Sequence, residues 1–146
     1  MPESKFHKNV KEKVREILVK TLKGVSLPEY DDSGHEADVF HVNYQGITIT
    51  VEIIRTETKR NVVHDFDIIQ NSLSNIKFVF VYPKVLTYDY NKNAFEKIRI
   101  SEIRKGYVVH ELLNGRKILR DKKYQKYFQD LLMFSLTLVT TDDKKI

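Results

Sequence analysis

Two acidic residues stand inside the most apolar stretches of this chain. Asp38 lies in Ala37-Asp38-Val39-Phe40-His41-Val42, and Glu52 lies in Ile47-Thr48-Ile49-Thr50-Val51-Glu52-Ile53-Ile54, which is β-branched almost throughout. A carboxylate among such neighbours must be paired, liganded or at the exposed end of its strand. Asn43-Tyr44-Gln45-Gly46 between the two runs has turn composition. The chain should therefore double back and bring Asp38 and Glu52 toward each other. Two adjacent strand-borne carboxylates offer hard oxygen ligands for Mg²⁺ or Mn²⁺, with the backbone carbonyl of Ile53 as a natural third. A metal held there would acidify a bound water and offset charge on a phosphate. The plainer alternative makes Asp38 the residue that starts one strand and Glu52 a solvated strand end.

Few other residues compete for a chemical role. His35 follows a loop glycine and reads either as a ligand or base, or as a solvated turn residue, while His41, His64 and His110 show no ligand spacing. No G-x-S-x-G, Walker lysine loop or G-x-G-x-x-G occurs, which argues against serine hydrolase and nucleotide-cofactor chemistry. The chain has no cysteine, so thiol nucleophiles, disulfides and zinc-thiolate sites are excluded.

The elements that must position these acids follow from periodicity. Phe6, Val10, Val14, Ile17, Leu18 and Leu22 mark one stripe of a helix predicted over Lys5 to Lys23, stopped by Gly24. A loop through Pro28-Glu29-Tyr30-Asp31-Asp32-Ser33-Gly34 then leads into the two strands of the hairpin. A helix is predicted from Asn61, its N-cap, to Leu73, with Val62, Phe66, Ile69 and Leu73 inward. Ile76 to Tyr82 is apolar enough for a central strand. This α-β-β-α-β order predicts an α/β fold with a central mixed sheet flanked by helices. Farther on, Phe95 to Ile100 reads as a short strand or helix, Tyr107 to Leu113 as a strand and Lys117 to Leu132 as a helix, with Thr141 to Lys145 frayed.

At 146 residues the chain reads as one domain, with its core over about residues 5–83 and a basic part over about 84–140. No apolar run is long enough for a membrane span, and no apolar region follows the charged N-terminus, so an intracellular protein is expected. The net charge is +5, and Lys97 to Lys126 holds ten Lys or Arg against Glu102, Glu111 and Asp121. That asymmetry suggests a basic face for a polyanion. Arg104, Lys105, Arg116, Lys117, Arg120, Lys122 and Lys123 are its candidate DNA-binding residues. Tyr107, Tyr124, Tyr127 and Phe128 interleave with these cations; they suit either a phosphate-tracking surface or the inner stripe of an amphipathic helix. A solvated helix face is the alternative for the cations themselves.

Gly34-His35-Glu36-Ala37-Asp38-Val39, then Gly46, then Val51-Glu52-Ile53-Ile54 resembles the PD-(D/E)xK (restriction-endonuclease-like) nuclease superfamily, as in Holliday-junction resolvases and small archaeal or viral nucleases. The likeness covers about residues 5–83. It implies a restriction-endonuclease-like core, a Mg²⁺- or Mn²⁺-dependent DNA nuclease, Asp38 and Glu52 as catalytic metal ligands, and a homodimer. The family's third position, usually lysine, falls on Ile54, which shares a face with Glu52 and can neither orient water nor stabilise an anion. Lys59 in the following loop is the best substitute and His64 a second, whereas Arg55 points to the opposite face. Ala37 replaces the usual proline. Many members add an acid from the first helix; Glu12 and Glu16 fall on its solvent side, and Glu3 and His7 on the correct one. His7, His35 and His64 are thus accessory candidates. Position 54 also supports a second reading, a catalytically silent nuclease-fold module that binds DNA or a protein. An unrelated α/β interaction protein is a third.

Overall fold

The computed structural model describes residues 4–32, 35–54, 69, 71–81 and 111–143. Helix α1 spans Lys5–Leu22, within one residue of the expected range. Ser4 caps its start, its hydroxyl accepting the His7 amide at 3.1 Å. Lys23 (φ 60°) and Gly24 (φ 94°) end it in left-handed backbone. Gly24 is required at this point, because a Cβ there would lie 2.1 Å from the Val42 carbonyl oxygen.

Among the described residues five strands form one mixed sheet in the order β1-β2-β3-β4-β5: β1 (Val25–Asp32), β2 (His35–Val42), β3 (Thr48–Ile54), β4 (Ile76–Val81) and β5 (Leu112–Asn114). The first three are antiparallel; β4 and β5 join in parallel. The expected hairpin is present. Asn43 builds its turn, its Oδ1 accepting the amides of Gln45 at 3.0 Å and Ile47 at 2.9 Å.

The stretch expected as a loop, Pro28 to Gly34, differs: through Asp32 it belongs to β1. Proline argues against a strand only where its missing N–H would face a partner. Among the described residues β1 is an edge, and Pro28 sits in its outward-facing row of backbone groups. Ser26 occupies the same row, and its carbonyl accepts a bond from Arg15 at 3.1 Å.

Strand β4 lies centrally, with Ile76, Phe78, Val79 and Phe80 all buried. Its parallel pairing with β3 requires a crossover through residues 55–75. The helix expected over Asn61 to Leu73 falls largely outside the described residues; Ile69 and Asn71 are helical, and Ile69 is buried as expected. Leu73, expected inward, is 79% exposed, because the helical stretch has ended by Ser72. Where Tyr107 to Leu113 was expected as one strand, the described part begins pairing only at Leu112 and forms a strand of 3 residues. Phe95 to Ile100 lies outside the described residues.

The helix expected over Lys117 to Leu132 is two: α2 (Gly115–Arg120) and α3 (Lys122–Asp143). Asp121 divides them. Its backbone leaves helical geometry, and its Oδ1 accepts the amides of Lys123 and Tyr124 at 2.9 and 3.2 Å, starting a new helix. Helix α3 continues to Asp143, past the expected fraying at Thr141. No described helix is long and apolar enough to cross a membrane.

Helices α1, α2 and α3 cover one sheet face. Val10, Val14, Ile17, Leu18, Ile118, Phe128, Leu132 and Val139 pack there on Val39, Ile49, Val51, Ile53, Phe78 and Phe80. Phe128 sets its ring edge-on against Phe78 and Phe80, at 5.6 and 5.2 Å. Strand alternation gives the opposite face Phe40, Thr50, Glu52, Ile54, Lys77 and Val79, all buried. Its polar half includes Thr50, whose hydroxyl bonds those of Ser72 and Ser74.

Candidate functional site

The regular β2–β3 ladder ends at Val39↔Val51. The next pair would be Asp38 and Glu52, but there the strands part, and β2 continues beside β1 through Tyr30↔Ala37. Into this fork turns the Asp38 side chain. Its Oδ2 accepts the amide of Ile53 at 2.8 Å, replacing the strand partner that the divergence removes. The Glu52 carboxyl lies close enough to Asp38 to act on its ionisation as a side-chain partner. Two carboxyls in such contact hold a proton between them or share a cation. The Ile53 carbonyl leaves β3 on the same side as its amide, so it too faces the fork.

Helix α1 closes the fork with a basic pair. His7 Nε2 is 4.0 Å from Asp38 Oδ2. One turn on, Lys11 is 4% exposed, and its charge also acts on Asp38. Burial pushes the Asp38 carboxyl above its ordinary pKa, outweighing the Ile53 amide, His7, Lys11 and Glu52, which all pull it down. Glu52 is 2% exposed, whereas a quarter of the Asp38 side-chain surface (25%) reaches solvent. Access to the acid pair is therefore through Asp38.

His7, an accessory candidate, joins the cluster. Ile54 is fully buried on the Glu52 face and offers only methyl groups. Lys59, His64, Arg104 and Lys105 lie outside the described residues; His35 opens β2, its backbone paired with Asp32. Lys11 was not anticipated, because a lysine beside an apolar stripe reads as solvated. The available signal was its spacing: His7, Lys11, Val14 and Leu18 descend one helix face at intervals of three and four, and all four are buried.

Arg116, Lys117, Arg120, Lys122 and Lys123, with Asp121, line a shallow depression of about 580 Å³ over the α2–α3 junction. Parallel pairing sets the C-terminal ends of β3, β4 and β5 at one sheet edge, through Ile54↔Val81 and Val81↔Asn114. Glu52 and Ile53 lie at that edge, and α2 begins from it. The Arg116 guanidinium stands 5.9 Å over the ring of Phe6, the residue before His7. The basic depression thus follows from the sheet end at which Glu52 and Ile53 lie. Tyr107 lies outside the described residues, and packing claims two of the other three interleaved aromatics. Phe128 is core, while Tyr124 lies under Lys117 and its hydroxyl accepts the Asn114 amide at 2.9 Å. Tyr127 remains 44% exposed.

Among the described residues no group of three or more His, Asp and Glu side chains is arranged to hold a metal ion. The donors at the fork are two carboxylates and one carbonyl. All are hard oxygens, and Mg²⁺ commonly binds through one or two carboxylates and keeps several waters, so the set fits such an ion.

Comparison with known proteins gave no matching family model, no matching curated protein and no matching solved structure.

Proposed function

We propose that this chain is a metal-dependent DNA nuclease of PD-(D/E)xK type, built on a restriction-endonuclease-like core. The observation that carries this reading is the meeting of Asp38 and Glu52 where β2 and β3 part. Asp38, Glu52 and the Ile53 carbonyl would hold Mg²⁺ or Mn²⁺. The bound ion would supply an acidified water and neutralise charge on the phosphate. Hydrolysis adds the water oxygen to phosphorus and breaks one P–O ester bond, leaving a phosphate monoester and an alcohol, so no co-reactant is required. The Ile53 amide holds Asp38 in place for this work, and the burial of Glu52, 2% exposed, keeps bulk water from it. Arg116, Lys117, Arg120, Lys122 and Lys123 would grip the DNA backbone without reading its sequence.

Supercoiled plasmid and short duplexes incubated with Mg²⁺ or Mn²⁺ test the reading. Cleavage by the wild type, abolished by Asp38→Ala and by Glu52→Ala, is expected. Cleavage indifferent to both changes would overturn the assignment of the site. A second reading, a silent module that binds DNA, is favoured by fully buried Ile54 at the position where a lysine is usual. Salt-sensitive binding without cleavage, unaltered by either substitution, would select it.

A further inference from the structure

We infer that Lys11 supplies to the acid pair, from α1, the cationic group that position 54 lacks. This deepens the nuclease reading and rests on it. Lys11 is 4% exposed, and an ammonium this buried persists only with compensating charge or hydrogen bonds. Its place on the helix defines the direction of that compensation. It follows His7 by one turn on the buried face, and His7 lies 4.0 Å from Asp38 Oδ2. Lys11 and His7 thus stand one turn apart on the same buried face of α1, the face that meets Asp38.

Strand geometry explains why the cation comes from a helix. Residues 52 and 54 share the face opposite α1, and there Ile54 is fully buried and brings no charge. Asp38, turned into the fork, is open to both faces. A lysine from α1 therefore reaches the carboxylates by the side that β3 leaves free. Beside an attacked phosphate this ammonium would offset charge building on the non-bridging oxygens and orient the attacking water. In that role Lys11 would act directly on the reacting phosphate and water, as a catalytic residue, and it stays fixed by the packing of α1.

Lys11→Met, which suits a buried position, and Lys11→Arg, which keeps the charge, separate this role from simple packing. Two quantities are read: Mn²⁺ affinity by calorimetry without DNA, and plasmid cleavage at saturating Mn²⁺. Lys11→Met is expected to bind Mn²⁺ as tightly as the wild type or tighter, since a competing cation is gone. Its cleavage should fall by about 10²-fold or more, with partial recovery in Lys11→Arg. Cleavage by Lys11→Met within about 3-fold of wild type would overturn the role of Lys11 and leave the nuclease reading standing. Weakened Mn²⁺ binding in Lys11→Met with its circular dichroism unchanged would also overturn it. A wild type that neither binds Mn²⁺ nor cleaves would overturn the nuclease reading, and this inference with it.

Discussion

Asp38 Oδ2 lies 2.8 Å from the Ile53 amide and 4.0 Å from His7 Nε2, so one carboxylate oxygen joins the end of β3 to the start of α1. Structural and chemical duties meet in that oxygen, and a substitution can separate them.

Asp38→Asn keeps a carbonyl oxygen for the Ile53 amide and removes the charge. Stability in urea should therefore fall less than in Asp38→Ala, the loss coming from the charge that faces His7 and Lys11, while Mn²⁺ affinity falls at least tenfold. Asp38→Ala removes the acceptor as well, leaving a partly buried amide unmet at a cost of about 1–3 kcal/mol. Equal stability losses in the two variants would show that the amide contact contributes nothing.

The buried His41 ties α1 to β2: its Nε2–H donates to the Lys23 carbonyl at 2.6 Å. Burial holds its pKa below the usual histidine value, and the contact with Lys23 only partly opposes this. A depressed folded pKa means the unfolded chain takes up the proton first. His41 therefore contributes full stability above about pH 6.5, and this is lost as pH falls through the lower folded value. Among the described residues Nδ1 has no hydrogen-bond partner, so protonation there would bury an unmet donor. The urea midpoint should drop from pH 7.5 to pH 5 more steeply in the wild type than in His41→Gln, which lacks the titrating ring. Parallel slopes in the two proteins would refute the assignment.

Gly24→Ala should destabilise by at least about 2 kcal/mol. The residue combines φ 94° with a Cβ position 2.1 Å from the Val42 carbonyl oxygen. Gly46 is the control. It has φ 78° but open space around it, so Gly46→Ala meets backbone strain alone and should cost less in the same denaturation series.

Phe128→Ala deletes the ring that Phe78 and Phe80 both meet edge-on and should cost about 3–5 kcal/mol. Phe134→Ala, on the same helix but 57% exposed, should change the thermal midpoint little. If both variants melt together, α3 does not close the core as described.

Replacing Arg116 and Lys117 by glutamine together should weaken DNA binding across all sequences. It should also lower the slope of log K against log salt by about 2, one phosphate contact for each cation. Fluorescence anisotropy over 50–200 mM salt measures this. An unchanged slope would mean that the depression does not meet the backbone.

The β2–β3 hairpin, central β4 and α1 were legible in the sequence because each carries its own signal: a turn asparagine with glycine, a run apolar but for Lys77, a helical stripe. The edge strand β1 was not, because Pro28 and the acids after it have loop composition, and only pairing with β2 makes the segment extended. The break at Asp121 was equally hidden: residues on both sides are good helix formers, and one capping side chain decides the matter. At the site, Asp38, Glu52 and His7 were visible as residue types in phase with their elements. Lys11 was not: its spacing puts it on the buried face of α1, but a lysine there reads as solvated until the packing of α1 on the fork is known.

The outward row of β1 has a consequence for assembly. At Pro28 that row has no N–H to give, and at Ser26 the carbonyl is already held by Arg15. A foreign strand laid along this margin would find neighbouring rungs of its ladder missing. The sheet is thereby guarded against growing sideways into a second chain, and copies of the protein that associate must do so through side chains rather than by extending the sheet at β1.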